Sequence, residues 1–101
     1  MSSSSSSTST RVAFITGGAQ GIGESIALRL AQDGLDIAVF DIPGKEEQLK
    51  GVTKKIIDSG RKAIWTVGDV TDEESIKNAI AKTVEELGSL DVVSSWPIYR
   101  I

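Results

Sequence analysis

From Val12 onward, short runs rich in apolar and β-branched residues alternate with longer segments whose apolar residues recur at helical spacing. The runs are Val12 to Thr16, Ile37 to Phe40, Ala63 to Val67 and Asp91 to Val93. Short apolar runs of this kind are typical of strands that are buried on both faces of a parallel sheet. The pattern therefore predicts four strands.

Each segment between two runs predicts one helix with an apolar face. The faces consist of Ile22, Ile26, Ala27, Leu30 and Ala31, then Leu49, Val52, Ile56 and Ile57, then Ile76, Ala79, Ile80, Thr83, Val84 and Leu87. Gly34, Gly60 and Gly88 follow the three faces and are expected to end the helices. At the start of the third helix, Thr71-Asp72-Glu73-Glu74 predicts a capping box with Thr71 as the N-cap and Glu74 reaching back to it.

The predicted order of elements is βαβαβαβ. Strands separated by helices of this length run parallel, and right-handed crossovers give a sheet of about four strands in the order 3-2-1-4 with helices flanking it. The fold class is therefore predicted to be α/β.

Composition narrows the chemistry that the chain can perform. The 101 residues have room for one small domain, and the hydrophobic fraction of 40% and charged fraction of 25% are ordinary for a globular protein. The net charge is −3, with Lys and Arg scattered among Asp and Glu, so no nucleic-acid partner is predicted. The chain has no Cys and no His, so neither a thiolate or imidazole metal site nor His-based acid–base catalysis is predicted.

The first ten residues are almost entirely Ser and Thr. They lack the basic region and apolar region of a secretory signal or membrane anchor, and a transit peptide would need basic residues, of which Arg11 is the first. We therefore expect residues 1–10 to be a disordered leader, with no membrane partner and a cytoplasmic location.

The segment Thr16-Gly17-Gly18-Ala19-Gln20-Gly21-Ile22-Gly23 lies between the first predicted strand and the first predicted helix. Glycines at 17, 21 and 23 let the backbone turn sharply and approach a ligand, and the following helix presents free N–H groups to phosphates. Gln20 occupies the loop position before Gly21. In a βαβ frame this pattern predicts a partial Rossmann fold that binds a dinucleotide, while glycines used for packing alone are the alternative.

Asp41 ends the second strand, about twenty residues beyond the glycines, where a carboxylate can bind the adenosine ribose and repel a 2'-phosphate. No Arg or Lys stands in the glycine segment or directly after Asp41, and Lys45 is the nearest basic residue. These residues predict NAD as the cofactor, with NADP less favoured. Two alternatives stay open: Asp41 shapes its own turn, and Asp69 is a turn carboxylate leading into the third helix rather than a ligand.

With these residues assembled, residues 11–93 resemble the short-chain dehydrogenase/reductase family, in the spaced glycines, Asp41, Asp69-Val70 and Leu90-Asp91-Val92-Val93. Within that family the segment from Gly18 to Leu30 looks most like diacetyl/acetoin reductases or butanediol dehydrogenases. The resemblance implies that Ile22 lies along the cofactor, and that Asp69 and Val70 border the adenine.

After Val93 the sequence departs from the family pattern. The family continues with an Asn-Asn-Ala-Gly turn, a catalytic Ser and a Tyr-x-x-x-Lys pair, whereas this chain reads Ser94-Ser95-Trp96-Pro97-Ile98-Tyr99-Arg100-Ile101. Tyr99 is the only tyrosine and no Lys follows it. No catalytic residue is therefore assigned, and residues 94–101 are expected to be a divergent tail after a truncated Rossmann domain.

We therefore expect the cofactor-binding portion of an oxidoreductase that transfers hydride between NAD(H) and a ketone or secondary alcohol, itself without catalytic residues. An alternative is a regulatory fragment that pairs with a full-length reductase through the sheet edge that the fourth strand would expose. A third interpretation is a prematurely ended form of a working reductase.

Overall fold

The computed structural model describes residues 10–94, except for the side chain of Ser94. The strands are β1 (Val12–Thr16), β2 (Asp36–Asp41), β3 (Ala63–Val67) and β4 (Val92–Ser94). The helices are α1 (Gly21–Gln32), α2 (Glu46–Asp58) and α3 (Glu73–Leu87), and a 3₁₀ turn (Pro43–Lys45) precedes α2. The predicted leader and tail lie, apart from Thr10 and Ser94, outside the described residues.

The four strands form one parallel sheet in the order β3-β2-β1-β4. This confirms the predicted α/β class and the order 3-2-1-4. The chain moves outward from β1 to β3 and then crosses to the other side of β1, so that β1 lies where the direction of winding reverses. In sheets of this kind ligands bind outside the carboxyl ends of the strands at that point.

Two helices cover one face of the sheet and one helix covers the other. On one face, Ala13 and Ile15 of β1 and Ile37 and Val39 of β2 pack against α1 and α2. On the other face, Phe14 and Phe40, with ring centroids 5.8 Å apart, lie in a cluster with Ile76 and Ala79 of α3. Apolar side chains alternate between the faces because successive residues of a strand point in opposite directions. Strands β1 and β2, buried except for the half-buried Asp41, therefore carry apolar residues toward both layers.

The helices bury most of their predicted faces, with one exception in each. Ile22 of α1 is 78% exposed, Ile57 of α2 is 52% exposed and Val84 of α3 is 43% exposed. Ile22 is in the first turn of α1, immediately after the glycine turn, whereas the buried Ala27 and Ala31 come one and two turns later. No helix in the described part of the chain is long and apolar enough to cross a membrane.

Candidate functional site

Three turns meet at the carboxyl edge of the sheet, because each of the parallel strands β1, β2 and β3 is followed by one there. The glycine turn, residues 17–20, leads from β1 into α1. The 3₁₀ turn leads from β2 into α2, and residues 68–72, the acidic turn, lead from β3 into α3. This edge is where the sequence placed the candidate binding residues.

The glycine turn depends on two different properties of glycine. Gly17 and Gly21 have φ angles of 67° and 62°, a region that side chains strongly disfavour. Gly23 has no such angle, but a methyl group there would overlap the carbonyl oxygen of Gly17. At Gly18 a methyl group would lie 2.9 Å from Cβ of Val39. The turn therefore lies tightly between α1 and β2.

The first turn of α1 has no side-chain cap, and its first two residues, Gly21 and Ile22, are exposed to solvent. Gln20 occupies the N-cap position in an extended conformation, and its side chain accepts no hydrogen bond from the helix. The first N–H groups of a helix have no partner within the helix and carry partial positive charge. A methyl group at Gly21 would meet no atom within 4 Å. The arrangement leaves open space beside backbone donors, which suits an anion such as a pyrophosphate.

Asp41 connects the glycine turn to the ends of β2 and β3. Its Oδ2 accepts a hydrogen bond from the N–H of Ala19 at 3.2 Å, and its Oδ1 accepts one from the N–H of Ile42 at 2.8 Å. Its carbonyl oxygen accepts a hydrogen bond from the N–H of Gly68 at 3.0 Å. The carboxylate therefore shapes its own turn, as the alternative interpretation proposed, and in addition bonds the glycine turn. Each oxygen keeps a further acceptor position.

Lys45 lies closer to the glycine turn than its place in the sequence indicates. The 3₁₀ turn begins with Pro43, and the N–H of Lys45 donates to the carbonyl oxygen of Ile42 at 2.9 Å. This bond turns the chain back toward the site, and Nζ of Lys45 donates to Oε1 of Gln20 at 3.1 Å. In the sequence no cation stands in the glycine segment or directly after Asp41, and Lys45 is only the nearest basic residue. The structure places the ammonium group of Lys45 at the glycine turn.

The acidic turn is held by side chains. Oδ1 of Asp69 accepts hydrogen bonds from the hydroxyl of Thr71 at 2.7 Å and from the N–H of Thr71 at 2.8 Å. These two bonds lower the pKa of Asp69 below its ordinary value of 3.8, and the bond from the hydroxyl has the larger effect. The turn-shaping role that the sequence left open for Asp69 is therefore present in the structure.

The capping prediction for α3 was wrong by one residue. Asp72, not Thr71, is the N-cap, and its Oδ1 accepts a hydrogen bond from the N–H of Glu74 at 3.0 Å. Thr71 does not form a capping box with Glu74, because the N–H of Glu74 donates to Asp72 and the N–H of Thr71 donates to Asp69. The acidic turn therefore contains two carboxylates with different roles: Asp69 closes the turn and Asp72 caps the helix.

The structure thus brings most of the predicted site residues together. Those in or directly beside the glycine turn are Gly17, Gln20, Gly21, Ile22, Gly23 and Asp41. Asp69 is exposed in the acidic turn, which follows β3 two strands away, and Val70 is half-buried against the Phe14 and Phe40 cluster. Sequence reasoning missed the tight packing of Gly18 and the bond from Ala19, although an unbroken run of small residues at 17–19 is a signal of close backbone approach.

The described residues also form a groove away from the glycine turn, and they contain no metal-binding group. A groove of about 790 Å³ runs along the outer edge of β3, between Ile57 of α2 and Lys82 of α3, two strands away from the glycine turn. Within residues 10–94 no group of three or more carboxylates is arranged to hold a metal ion. The carboxyl edge is therefore the candidate site.

A parallel sheet that reverses its winding at β1, with a glycine turn leading from β1 into a helix, defines a Rossmann-type domain. The family model described as short chain dehydrogenase matches residues 11–95. The chain belongs to the short-chain dehydrogenase/reductase family, as the sequence predicted, and these residues form a fragment of the NAD(P)-binding domain of that family.

Individual relatives agree with this assignment. The chain is 47% identical over 83 residues to an L-2,3-butanediol dehydrogenase of Corynebacterium glutamicum, covering 82% of this chain and 32% of the relative. The structure of carveol dehydrogenase from Mycobacterium avium in complex with NAD is 36% identical, with a TM-score of 0.77, covering 85% of this chain and 35% of that one. The chain therefore spans about a third of the length of these relatives.

A relative with the phosphorylated cofactor is equally similar in fold. The structure of a blue fluorescent protein from a metagenomic library in complex with NADPH is 32% identical, with a TM-score of 0.80, covering 84% of this chain and 35% of that one. Relatives of this domain have thus been seen with either dinucleotide, so the preference of this chain depends on its own residues.

Proposed function

We propose that residues 11–93 bind NAD(H) at the carboxyl edge of the sheet and serve as the cofactor half of a reductase acting on a ketone or secondary alcohol. The bound dinucleotide would supply the hydride. The observation that carries the proposal is the uncapped first turn of α1 beside the open space at Gly21.

The glycine turn would hold the pyrophosphate through the backbone. The N–H groups of Gly18 and Ala19 already donate to Phe40 and Asp41, so the donors would be the first N–H groups of α1, where the positive end of the helix favours negative charge. Gly23 lets α1 begin directly against Gly17, which brings the helix end close to the place where the phosphates would lie. The exposed side chain of Ile22 would lie along the dinucleotide and lose part of its contact with water when the ligand binds.

Asp41 would receive the adenosine ribose. Ala19 and Ile42 fix the orientation of its carboxylate, and the remaining acceptor positions can take hydrogen bonds from the ribose hydroxyls. A 2'-phosphate would bring a second negative charge to the same place, which favours NADH over NADPH. Asp69 and Val70 would border the adenine, and the half-buried Val70 would supply an apolar contact.

The test is a titration of the 101-residue chain with NADH, followed by fluorescence. Gly21→Asp places a carboxylate beside the proposed pyrophosphate and should weaken binding at least tenfold, that is by about 1.4 kcal/mol. Gly34→Asp is a matched control, because Gly34 also has a positive φ angle, 99°, and open space around it, at the far end of α1. Equal NADH affinity in both folded variants would contradict the site.

A second variant tests the ribose contact. Asp41→Asn removes the charge but keeps an oxygen that can accept from Ala19. We expect the affinity for NADPH relative to NADH to rise about tenfold, since the repulsion of the 2'-phosphate is lost. An unchanged ratio would mean that Asp41 only shapes its turns.

One observation favours the alternative function, association through the sheet edge. Within the described residues β4 pairs with β1 alone, and Val93 of β4 is 43% exposed. An unpaired strand edge offers hydrogen-bonding groups to another chain. Co-purification of this chain with a full-length relative tests this function, and a failure to associate would remove it.

A further inference from the structure

We infer that Lys45 is the residue that receives a 2'-phosphate, so that this site accepts NADPH as well as NADH and its preference for NADH is a small one. The inference rests on the proposed function, because it concerns the ribose end of the same site. It starts from the contact of 3.1 Å between Nζ of Lys45 and Oε1 of Gln20.

The contact places a positive charge across the ribose end of the site. Gln20 immediately precedes α1, while Asp41 reaches the same turn through the N–H of Ala19. Lys45 and Asp41 therefore approach the glycine turn from the two ends of the segment that leaves β2. A ribose held by Asp41 has its 2' position in the region that the flexible four-carbon side chain of Lys45 can reach.

The ammonium group of Lys45 is available for such a contact. The ion pairs of the described residues involve Arg29, Lys50, Lys54 and Lys55, but not Lys45. The nearby carboxylates of Glu46 and Glu47 both face Lys50. The bond from Lys45 goes to a neutral amide, whereas a phosphate would add the attraction of its negative charge for the ammonium group.

The opposing charge of Asp41 is partly offset. Two backbone N–H groups donate to its two carboxylate oxygens, at 3.2 Å and 2.8 Å, and hydrogen-bond donors stabilise negative charge. A 2'-phosphate would therefore meet one carboxylate that accepts two N–H bonds and one ammonium that has no ion pair among the described residues. The two charges act in opposite directions, so neither dinucleotide is excluded.

The experiment measures the dissociation constants of NADH and NADPH for the 101-residue chain and for Lys45→Gln. For the natural chain we expect NADPH to bind less than about tenfold more weakly than NADH. Lys45→Gln should increase that ratio about five- to tenfold, with the loss mainly in NADPH affinity. In 0.5 M NaCl the effect of the substitution should shrink, because salt screens an exposed contact.

Lys54→Gln is the control variant. Lys54 is an exposed lysine of α2 that pairs with Asp58, away from the glycine turn, and its loss changes the net charge by the same amount. We expect it to leave the ratio unchanged. An equal shift in both variants would reveal a general charge effect and overturn the inference.

Other outcomes separate the inference from the proposed function. If both dinucleotides bind and Lys45→Gln leaves their ratio within twofold of the natural value, Lys45 does not receive the phosphate and the inference fails alone. If neither dinucleotide binds the folded natural chain, the proposed function fails and the inference fails with it.

Discussion

The glycine turn and the acidic turn both lie at the carboxyl edge of the sheet and lead from a strand into a helix, but they are stabilised differently. In the acidic turn, Asp69 accepts from Thr71 and Asp72 caps α3. In the glycine turn the conformation depends on positive φ angles and on the absence of side chains, and α1 has no side-chain cap. The acidic turn uses its own polar groups. The glycine turn instead leads into an uncapped helix, whose first N–H groups are left for a ligand.

This difference explains why two turns of similar length at the same edge of the sheet differ in their capacity to bind an anion. An aspartate N-cap satisfies one of the free N–H groups of the helix and places its own negative charge there, which disfavours an anion. A helix end without such a cap presents unpaired N–H groups, which a bound phosphate can satisfy. We therefore expect substitutions to affect the two turns in different ways.

The largest effect is expected for Gly23→Ala. The added methyl group would overlap the carbonyl oxygen of Gly17, which belongs to the backbone and cannot move without displacing β1 or α1. We expect the free energy of unfolding, measured by urea denaturation, to fall by ~3 kcal/mol.

Gly51→Ala is the control for this prediction. Gly51 lies in the exposed part of α2 with no atom near its missing Cβ, so alanine there should stabilise the chain by ~0.5–1 kcal/mol. A Gly23→Ala variant as stable as the natural chain would show that α1 does not pack on the glycine turn as described.

A smaller effect is expected for the cap of α3. Asp72→Ala should lower the free energy of unfolding by ~1 kcal/mol, since the N–H of Glu74 loses its acceptor. Thr71→Ala removes one exposed hydroxyl bond to Asp69 and should cost less. Thermal unfolding of the two variants distinguishes the observed cap from the predicted capping box, which requires the reverse order.

The smallest effect is expected for Asp69→Asn, and it should depend on pH. The pKa of Asp69 is lower in the folded chain than its ordinary value of 3.8, because Thr71 donates to the charged form. Its contribution to stability is therefore present above that ordinary value and is lost as the pH falls through the lower, folded value.

Unfolding of the natural chain and of Asp69→Asn should therefore differ at pH 6 and converge in stronger acid. A difference that did not shrink as the pH fell from 3.8 into stronger acid would indicate that the carboxylate contributes through packing rather than through its charge. In either case NADH binding at pH 6 should change less than in Gly21→Asp, because the acidic turn is not expected to hold the pyrophosphate.

The main elements of the fold could be predicted from the sequence because they rest on local patterns. Strands β1 and β3 have the predicted bounds, and β2 is longer by one residue at each end. The predicted fourth strand begins one residue too early, because the side chain and N–H of Asp91 bond the backbone of Val12 before the ladder begins. Glycines 34, 60 and 88 follow the helices with positive φ angles, as expected for helix ends.

The candidate site was predictable in part. The positions of Gly17, Gly21 and Gly23 followed from their place between a strand and a helix. Whether Asp69 also contacts a ligand stays a prediction, since the sequence could not separate a turn carboxylate from a ligand and the structure shows the first role.

The sequence by itself determined the order of strands and helices, the place of the glycine turn and the absence of Cys and His chemistry, because periodicity, turn residues and composition are properties of the chain. Tertiary structure alone decided which polar groups meet at the carboxyl edge. Asp41 bonds a residue 22 positions away and Lys45 one 25 positions away. Contacts at such separations depend on how parallel strands and the 3₁₀ turn are arranged in space, and no local pattern encodes them.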